Sequence, residues 1–189
     1  MKKSILTVLL AAAFVTPVFA TTELDLKVGY IVEPTVVQTS ASEYKVSYSQ
    51  ESSYLVGIDF YYYLVNNLAI GLGANYIFNS EFDGHFQEDA KLGSANGFVA
   101  IKPILAEKGL VDKVYLLGQL GMGATNYDDD KNNFSETGLY WGAGFGLEKW
   151  NIIVEVLYSV NYWKHEDEGT EVSFSNRRLS INAGLKFNL

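Results

Sequence analysis

Eight stretches of this sequence alternate apolar and polar side chains with a period of two, and no helical segment of comparable strength competes with them. Period-two alternation puts successive side chains on opposite faces of a strand, so each stretch reads as a strand with one oily and one wet side. The stretches cover 23–32, 54–64, 68–78, 97–104, 113–125, 138–148, 152–162 and 178–189. The last is the clearest. Leu179, Ile181, Ala183, Leu185, Phe187 and Leu189 share one face, and Arg178, Ser180, Asn182, Gly184, Lys186 and Asn188 share the other. An uninterrupted apolar face on the final strand suits a closed barrel, in which the last strand pairs with the first and no sheet edge remains.

Which face points outward decides the environment. Eight strands can close into a soluble barrel with an apolar core, or into a transmembrane one with the apolar face toward lipid. Here the polar face carries Gly57, Gly71, Gly73, Gly121, Gly123, Gly142, Gly144, Gly146 and Gly184. Nine glycines could not fill a soluble core, and a narrow eight-stranded interior has room for side chains only. The bulky face is therefore expected outside, against lipid. The stretch 97–104 turns on Lys102, placed inward with Phe98 and Ala100, which leaves Val99, Ile101 and Pro103 outward. Proline lacks a ladder donor, so Pro103 is expected at the strand's end.

The connections alternate in length. Val65-Asn66-Asn67 and Lys149-Trp150-Asn151 are tight turns, the first helped by the tolerance of Asn for left-handed backbone angles, and 105–112 is a somewhat longer one. The segments 33–53, 79–96, 126–137 and 163–177 are long and polar. Short turns on one rim and long loops on the other is the plan of a transmembrane barrel, with the short side periplasmic.

The first twenty residues are set apart. Lys2 and Lys3 precede an apolar run at 5–15, Pro17 breaks it, and Val18-Phe19-Ala20 has the small residues of a cleavage site. The run is too short to span a membrane as a helix. Residues 1–20 are read as a cleaved signal peptide and 21–189 as one barrel domain. The chain carries a net charge of −8; without Lys2 and Lys3, 12 basic residues face 22 acidic ones, a balance of −10. That acidity argues against nucleic acid, whose phosphates want a basic stripe. The absence of cysteine removes both a disulfide framework and a lipid anchor on sulfur.

With odd strands rising from the periplasm, Tyr30, Tyr54, Tyr76, Phe78, Trp141 and Tyr162 come out near the loop rim. Phe60, Tyr62, Trp150 and Phe187 come out near the turn rim. Two such girdles fit headgroup layers on either side of a bilayer. At this point the residues resemble the small outer-membrane β-barrels of Gram-negative bacteria, the OmpA/OmpX-like group. Gly184, Phe187 and Leu189 look like that group's C-terminal assembly signal, although its usual last residue is aromatic. "GLGANY" and "GAGFGLE" have the same hairpin texture. The resemblance implies an all-β, eight-stranded, up-and-down antiparallel barrel in the cell outer membrane. It implies lipid and lipopolysaccharide as surroundings, and the barrel-assembly machinery as a partner of the last strand. It does not name a function.

The expected lumen holds Asp25, Lys27, Asp59, Lys102, Glu148, Glu155, Arg178 and Lys186. Buried charges must be paired, so these read as a salt-bridge network that plugs the barrel. A narrow porin-like path, in which Glu155 and Arg178 exchange partners, is the alternative. A lipid A-modifying enzyme is a third reading, but it needs a nucleophile or base at the outer leaflet, and His85 and His165 both fall in loops. Asp128-Asp129-Asp130 lacks the glycine and closing glutamate of a calcium loop. No cofactor or metal is expected. Tyr44, Tyr48, Phe82, Phe86, Tyr127, Phe134, Trp163 and Phe174 make the loops aromatic, which suits adhesion or ligand binding by a monomer. Segments 33–53 and 79–96 are the best candidates for that contact.

Overall fold

The computed structural model describes residues 22–39, 45–82, 91–107, 109, 111–128, 133–167 and 170–189. The expected signal peptide lies outside them. The described chain is strand almost throughout: β1 (Thr22–Thr39), β2 (Lys45–Ser49), β3 (Ser53–Val65), β4 (Leu68–Glu81), β5 (Lys91–Glu107), β6 (Lys113–Asp128), β7 (Asn133–Lys149), β8 (Ile152–Asp167) and β9 (Thr170–Asn188). Each pairs antiparallel with its neighbour, and β9 returns to β1, so eight strands close into an up-and-down barrel. The short β2 folds back on the upper end of β1, where Thr35 pairs with Ser49 and Thr39 with Lys45.

Closure is complete at the bottom rim. Leu189 donates its N–H to the Thr22 carbonyl at 2.9 Å, and the Thr22 hydroxyl donates to the Leu189 carbonyl at 3.1 Å. Between them Asp25 pairs with Lys186 and Lys27 with Gly184. A bulge between Val32 and Thr35 interrupts the seam, with Glu33 at a φ of 35°. The extra residue bends β1 and increases its twist where the strand leaves the apolar belt.

The two faces separate as the alternation demands. Val28, Ile58, Leu72, Val99, Leu120, Met122, Val154 and Ile181 stand outward and exposed, with no protein over them. The ten aromatic residues assigned to the girdles all stand on this outer face, with Tyr30 against Tyr54 at 5.6 Å and Tyr76 edge-on to Phe78 at 5.2 Å. Phe145 and Tyr158 join them. Lys102 is fully buried and flanked by inward Phe98 and Ala100.

Three local expectations need correction. Pro103 is not at the end of its strand, because β5 runs on to Glu107. The proline is tolerated there because it pairs with Leu68, the first residue of β4, and the β6 ladder is irregular beside it. Asn66 and Asn67 close their turn without a positive φ; among the described non-glycine residues only Glu33 and Trp150 have one. Trp150, at φ 56°, is held there by Asp112, whose carboxylate accepts its N–H. The described residues of the polar connections 33–53, 79–96, 126–137 and 163–177 are largely strand, since β1, β4, β6 and β8 all continue beyond the last apolar outward residue. Above the lipid level the outward face turns mostly polar, while apolar residues such as Val36, Leu92 and Trp163 turn inward. The alternation that marks a strand fades while the backbone ladder continues.

Candidate functional site: the barrel lumen

Five carboxylates and four cations are buried inside the barrel among the described residues. They belong to the same inward alternation as the glycines, and register sets which of them meet. At the lowest level Lys102 from β5 crosses the lumen to Glu23 and lies 3.4 Å from Asp25 Oδ2, both on β1. Lys27 joins Asp59 on β3 to Glu155 on β8, the latter at 2.9 Å. Lys186 pairs with Glu148 and lies 3.9 Å from Glu23. Three lysines thus each bridge two carboxylates, the arrangement that makes buried charge tolerable.

Tyrosines finish the same layer. Tyr63 donates to Glu23 at 2.7 Å, Tyr115 to Glu155 at 2.9 Å, and Tyr61 to Asp59 at 3.2 Å. The Lys102 ammonium also sits over the Tyr115 ring at 4.3 Å and the Tyr61 ring at 4.6 Å. A desolvated ammonium over two aromatic faces gains cation–π attraction in addition to its ion pairs. Tyr61, Tyr115 and Tyr140 have no exposed surface at all.

The rule that bulk belongs outside therefore fails for these rings, and the glycines are the reason. Tyr61 pairs with Gly71, Tyr115 with Gly146, Tyr140 with Gly121, and Phe98 with both Gly73 and Gly121. The Tyr61, Tyr115 and Phe98 rings lie against Gly71, Gly146 and Gly73, covering backbone that would otherwise have no side chain. A Cβ on Gly146 would stand 2.3 Å from the Tyr115 ring. Gly146→Ala should therefore destabilise the barrel by about 1–3 kcal/mol, and Tyr115→Ala in the same chain should recover part of that loss. A double-mutant cycle by urea titration measures the coupling. Strict additivity would mean that ring and glycine do not fit together.

Above this layer the lumen is polar but nearly uncharged. Tyr140 donates to Gln119 at 2.6 Å, Asn96 to Asn75 at 2.6 Å, and Asn161 to Asn96 at 2.8 Å. Arg178 lies here, 3% exposed, with no hydrogen-bond or ion-pair partner for its side chain among the described residues and with its Nη1 unsatisfied. The anticipated pairing of Glu155 with Arg178 does not occur. Register explains it: Arg178 pairs with Ser159, whereas Glu155 pairs with Asn182 two inward levels lower and turns to Lys27. Val36, Leu92 and Trp163 cap the chamber, with Phe82, Tyr127 and Phe174 packed against them and Trp163 stacked on Phe174 at 5.5 Å.

All eight charged residues anticipated for the lumen are buried in it. Glu23 also belongs with them, on the same face as Asp25 and Lys27 at the first turn of the alternation. Of the two histidines, His165 Nδ1 contacts Glu136 Oε1 at 2.8 Å near the loop rim, and His85 lies outside the described residues. Asp129, Asp130, Tyr44 and Phe86 lie outside them too. Gly184 has a local role: a Cβ there would stand 2.4 Å from the Leu26 carbonyl and 2.8 Å from Lys27 Cγ, so its absence lets Lys27 turn into the lumen.

No protein-family model and no curated protein matches this sequence. Solved structures do match it in fold. Neisserial surface protein A aligns with a TM-score of 0.55 at 14% identity, covering 90% of this chain and 100% of that one. OprG from Pseudomonas aeruginosa aligns at 0.53 and 14%, covering 90% and 97%. Ail, the attachment invasion locus protein of Yersinia pestis, aligns at 0.50 and 15%, covering 87% and 98%. The fold is that of the small outer-membrane β-barrels.

Proposed function

We propose that this protein is an integral outer-membrane β-barrel of a Gram-negative bacterium, closed by its own side chains, that works at the cell surface through the extended strands and loops above the lipid belt. The filled lumen carries this reading. At the Lys102 level three lysines, their carboxylates and fully buried tyrosine rings cross the barrel interior. A barrel blocked there has its working surface on the outside and at its upper rim. The exposed apolar belt supports the membrane placement, since an outer face of Val, Leu, Ile and Met matches hydrocarbon. The names of two neighbours, an attachment invasion locus protein and a neisserial surface protein, support a surface role. In this reading β9, with Gly184, Phe187 and Leu189, is the strand handed to the assembly machinery. The lumen charges act as a structural plug.

A narrow channel is the second reading, favoured by one observation: the upper chamber holds an unpaired Arg178 among amide side chains. Planar-bilayer recording separates the two. The wild-type barrel is expected to give no unitary current steps, and Tyr61→Ala with Tyr115→Ala and Tyr140→Ala is expected to produce them by removing the rings around Lys102. Steady unitary conductance from the wild type would overturn the plugged-barrel reading.

A further inference from the structure

The outward face of β8, β9, β1 and β2 carries an unusual patch just above the apolar belt. Reading up β9, the outward residues are Leu189, Phe187, Leu185, Ala183, Ile181 and Leu179, and then Arg177. The ten residue steps from Leu189 to Leu179 span about 33 Å of strand, or about 25 Å of bilayer at a tilt near 40°, the height of a lipid-facing band. Arg177 is therefore the first outward residue of β9 at headgroup level. It pairs across the sheet with Val160 and Thr35, in the row that Trp141 completes.

A groove of about 430 Å³ opens at this height. Trp141, Tyr158 and Tyr162 form its aromatic side, Ser173 and Ser175 supply hydroxyls, and Arg177 and Lys45 supply positive charge. Tyr162 already donates to Ser173 at 3.0 Å, which fixes the ring at the groove's wall. Arg177 is exposed, and neither cation has an ion-pair or hydrogen-bond partner among the described residues. In a chain with a net charge of −8, two unneutralised cations converging on one groove are out of keeping with the rest of the surface. The outward Lys91 is different, paired with Glu81 at 3.2 Å.

We propose that this groove holds the phosphorylated sugar headgroup of an outer-leaflet glycolipid of the lipid A class. The proposal rests on the membrane-barrel reading above. The chemistry is complementary at each point. Guanidinium and ammonium groups bind phosphate oxygens through charge-assisted hydrogen bonds. Amphipathic rings suit the boundary between sugar and acyl chain. Serine hydroxyls match sugar hydroxyls. A phosphoglycerol lipid offers the charge but neither the sugar face nor a second phosphate to span from Arg177 to Lys45.

Native mass spectrometry of the barrel in detergent micelles tests it, with bis-phosphorylated lipid A, the dephosphorylated form and phosphatidylglycerol as probes. One equivalent of bis-phosphorylated lipid A is expected to bind at least tenfold tighter than either of the others, and R177Q with K45Q should abolish that preference. R177K with K45R, which keeps both charges, should retain most of it. Should the glutamine pair fail to fold, as read by heat-modifiable gel mobility, R177Q alone carries the test with a partial loss. Retention of the preference in the glutamine variants, or equal binding of phosphatidylglycerol, would overturn the proposal. Vesicle flotation is read separately: a barrel that does not insert into bilayers defeats the membrane reading whatever it binds in micelles.

Discussion

Replacing Lys102 with methionine is expected to cost the barrel about 3–5 kcal/mol of stability, the penalty for leaving buried carboxylates without their cation. Lys102 is fully buried and is the ammonium shared by Glu23 and Asp25. Methionine keeps the bulk and the ring contacts but removes the charge, so the loss reads the ion pairs. Arg178 is the internal control. It is similarly enclosed yet pairs with no carboxylate among the described residues. Arg178→Met should therefore stay within about 1 kcal/mol of the wild type, or rise above it, because a buried unpaired charge is itself costly. Urea titration in vesicles, followed by heat-modifiable mobility, measures both. Equal losses for the two variants would show that general packing, and not pairing, decides the tolerance of charge in this lumen.

Leu120→Arg, on the outward face at mid-height of β6, is expected to cost about 2–4 kcal/mol in a lipid bilayer, the cost of a cation at the membrane midplane. Leu120 is 55% exposed and lies between Val99 and Trp141 on the adjacent strands. Asn126→Arg lies on the same face of the same strand, six residues higher, and should cost about 0–1 kcal/mol because it meets the interface. The difference between them is the signal. Equal costs would mean that the apolar belt does not face hydrocarbon, and the assignment of outer and inner faces would fall.

Much of this fold was legible in the sequence because the lipid belt forces a strict contrast between faces. Lys102 could be placed inward from parity with Phe98 and Ala100 alone, and the closing strand from the uninterrupted alternation at 178–189. The strand extensions were not legible for the opposite reason. Ser173, Ser175, Asn176, Gln38 and Thr39 are polar on both faces, so hydropathy carries no period there even though Thr39 pairs with Ser173. The membership of the lumen could be read, but its pairing could not. Lys102 meets Glu23 across 79 positions of sequence and several strands, and only the register of the closed barrel brings them together. Glu23 went unassigned because it stands at the edge of its segment. The fit of Tyr115 over Gly146 is likewise a matter of register, since neither residue alone distinguishes a ring that covers backbone from one that faces lipid.

The continuation of β9 to Thr170 determines the reach of the molecule. Nine residues separate Thr170 from Leu179, about 30 Å of strand and a little over 20 Å of height at the same tilt. β8 runs beside it to Asp167, and β1 does so to Thr39. The ladder thus carries the upper ends of these strands well above the lipid-facing band, and in the surface role proposed above this height sets how far from the membrane a partner is met. Loop sequence can then drift while the height at which contact occurs stays constant, because that height is set by ladder length and not by any side chain at the tip.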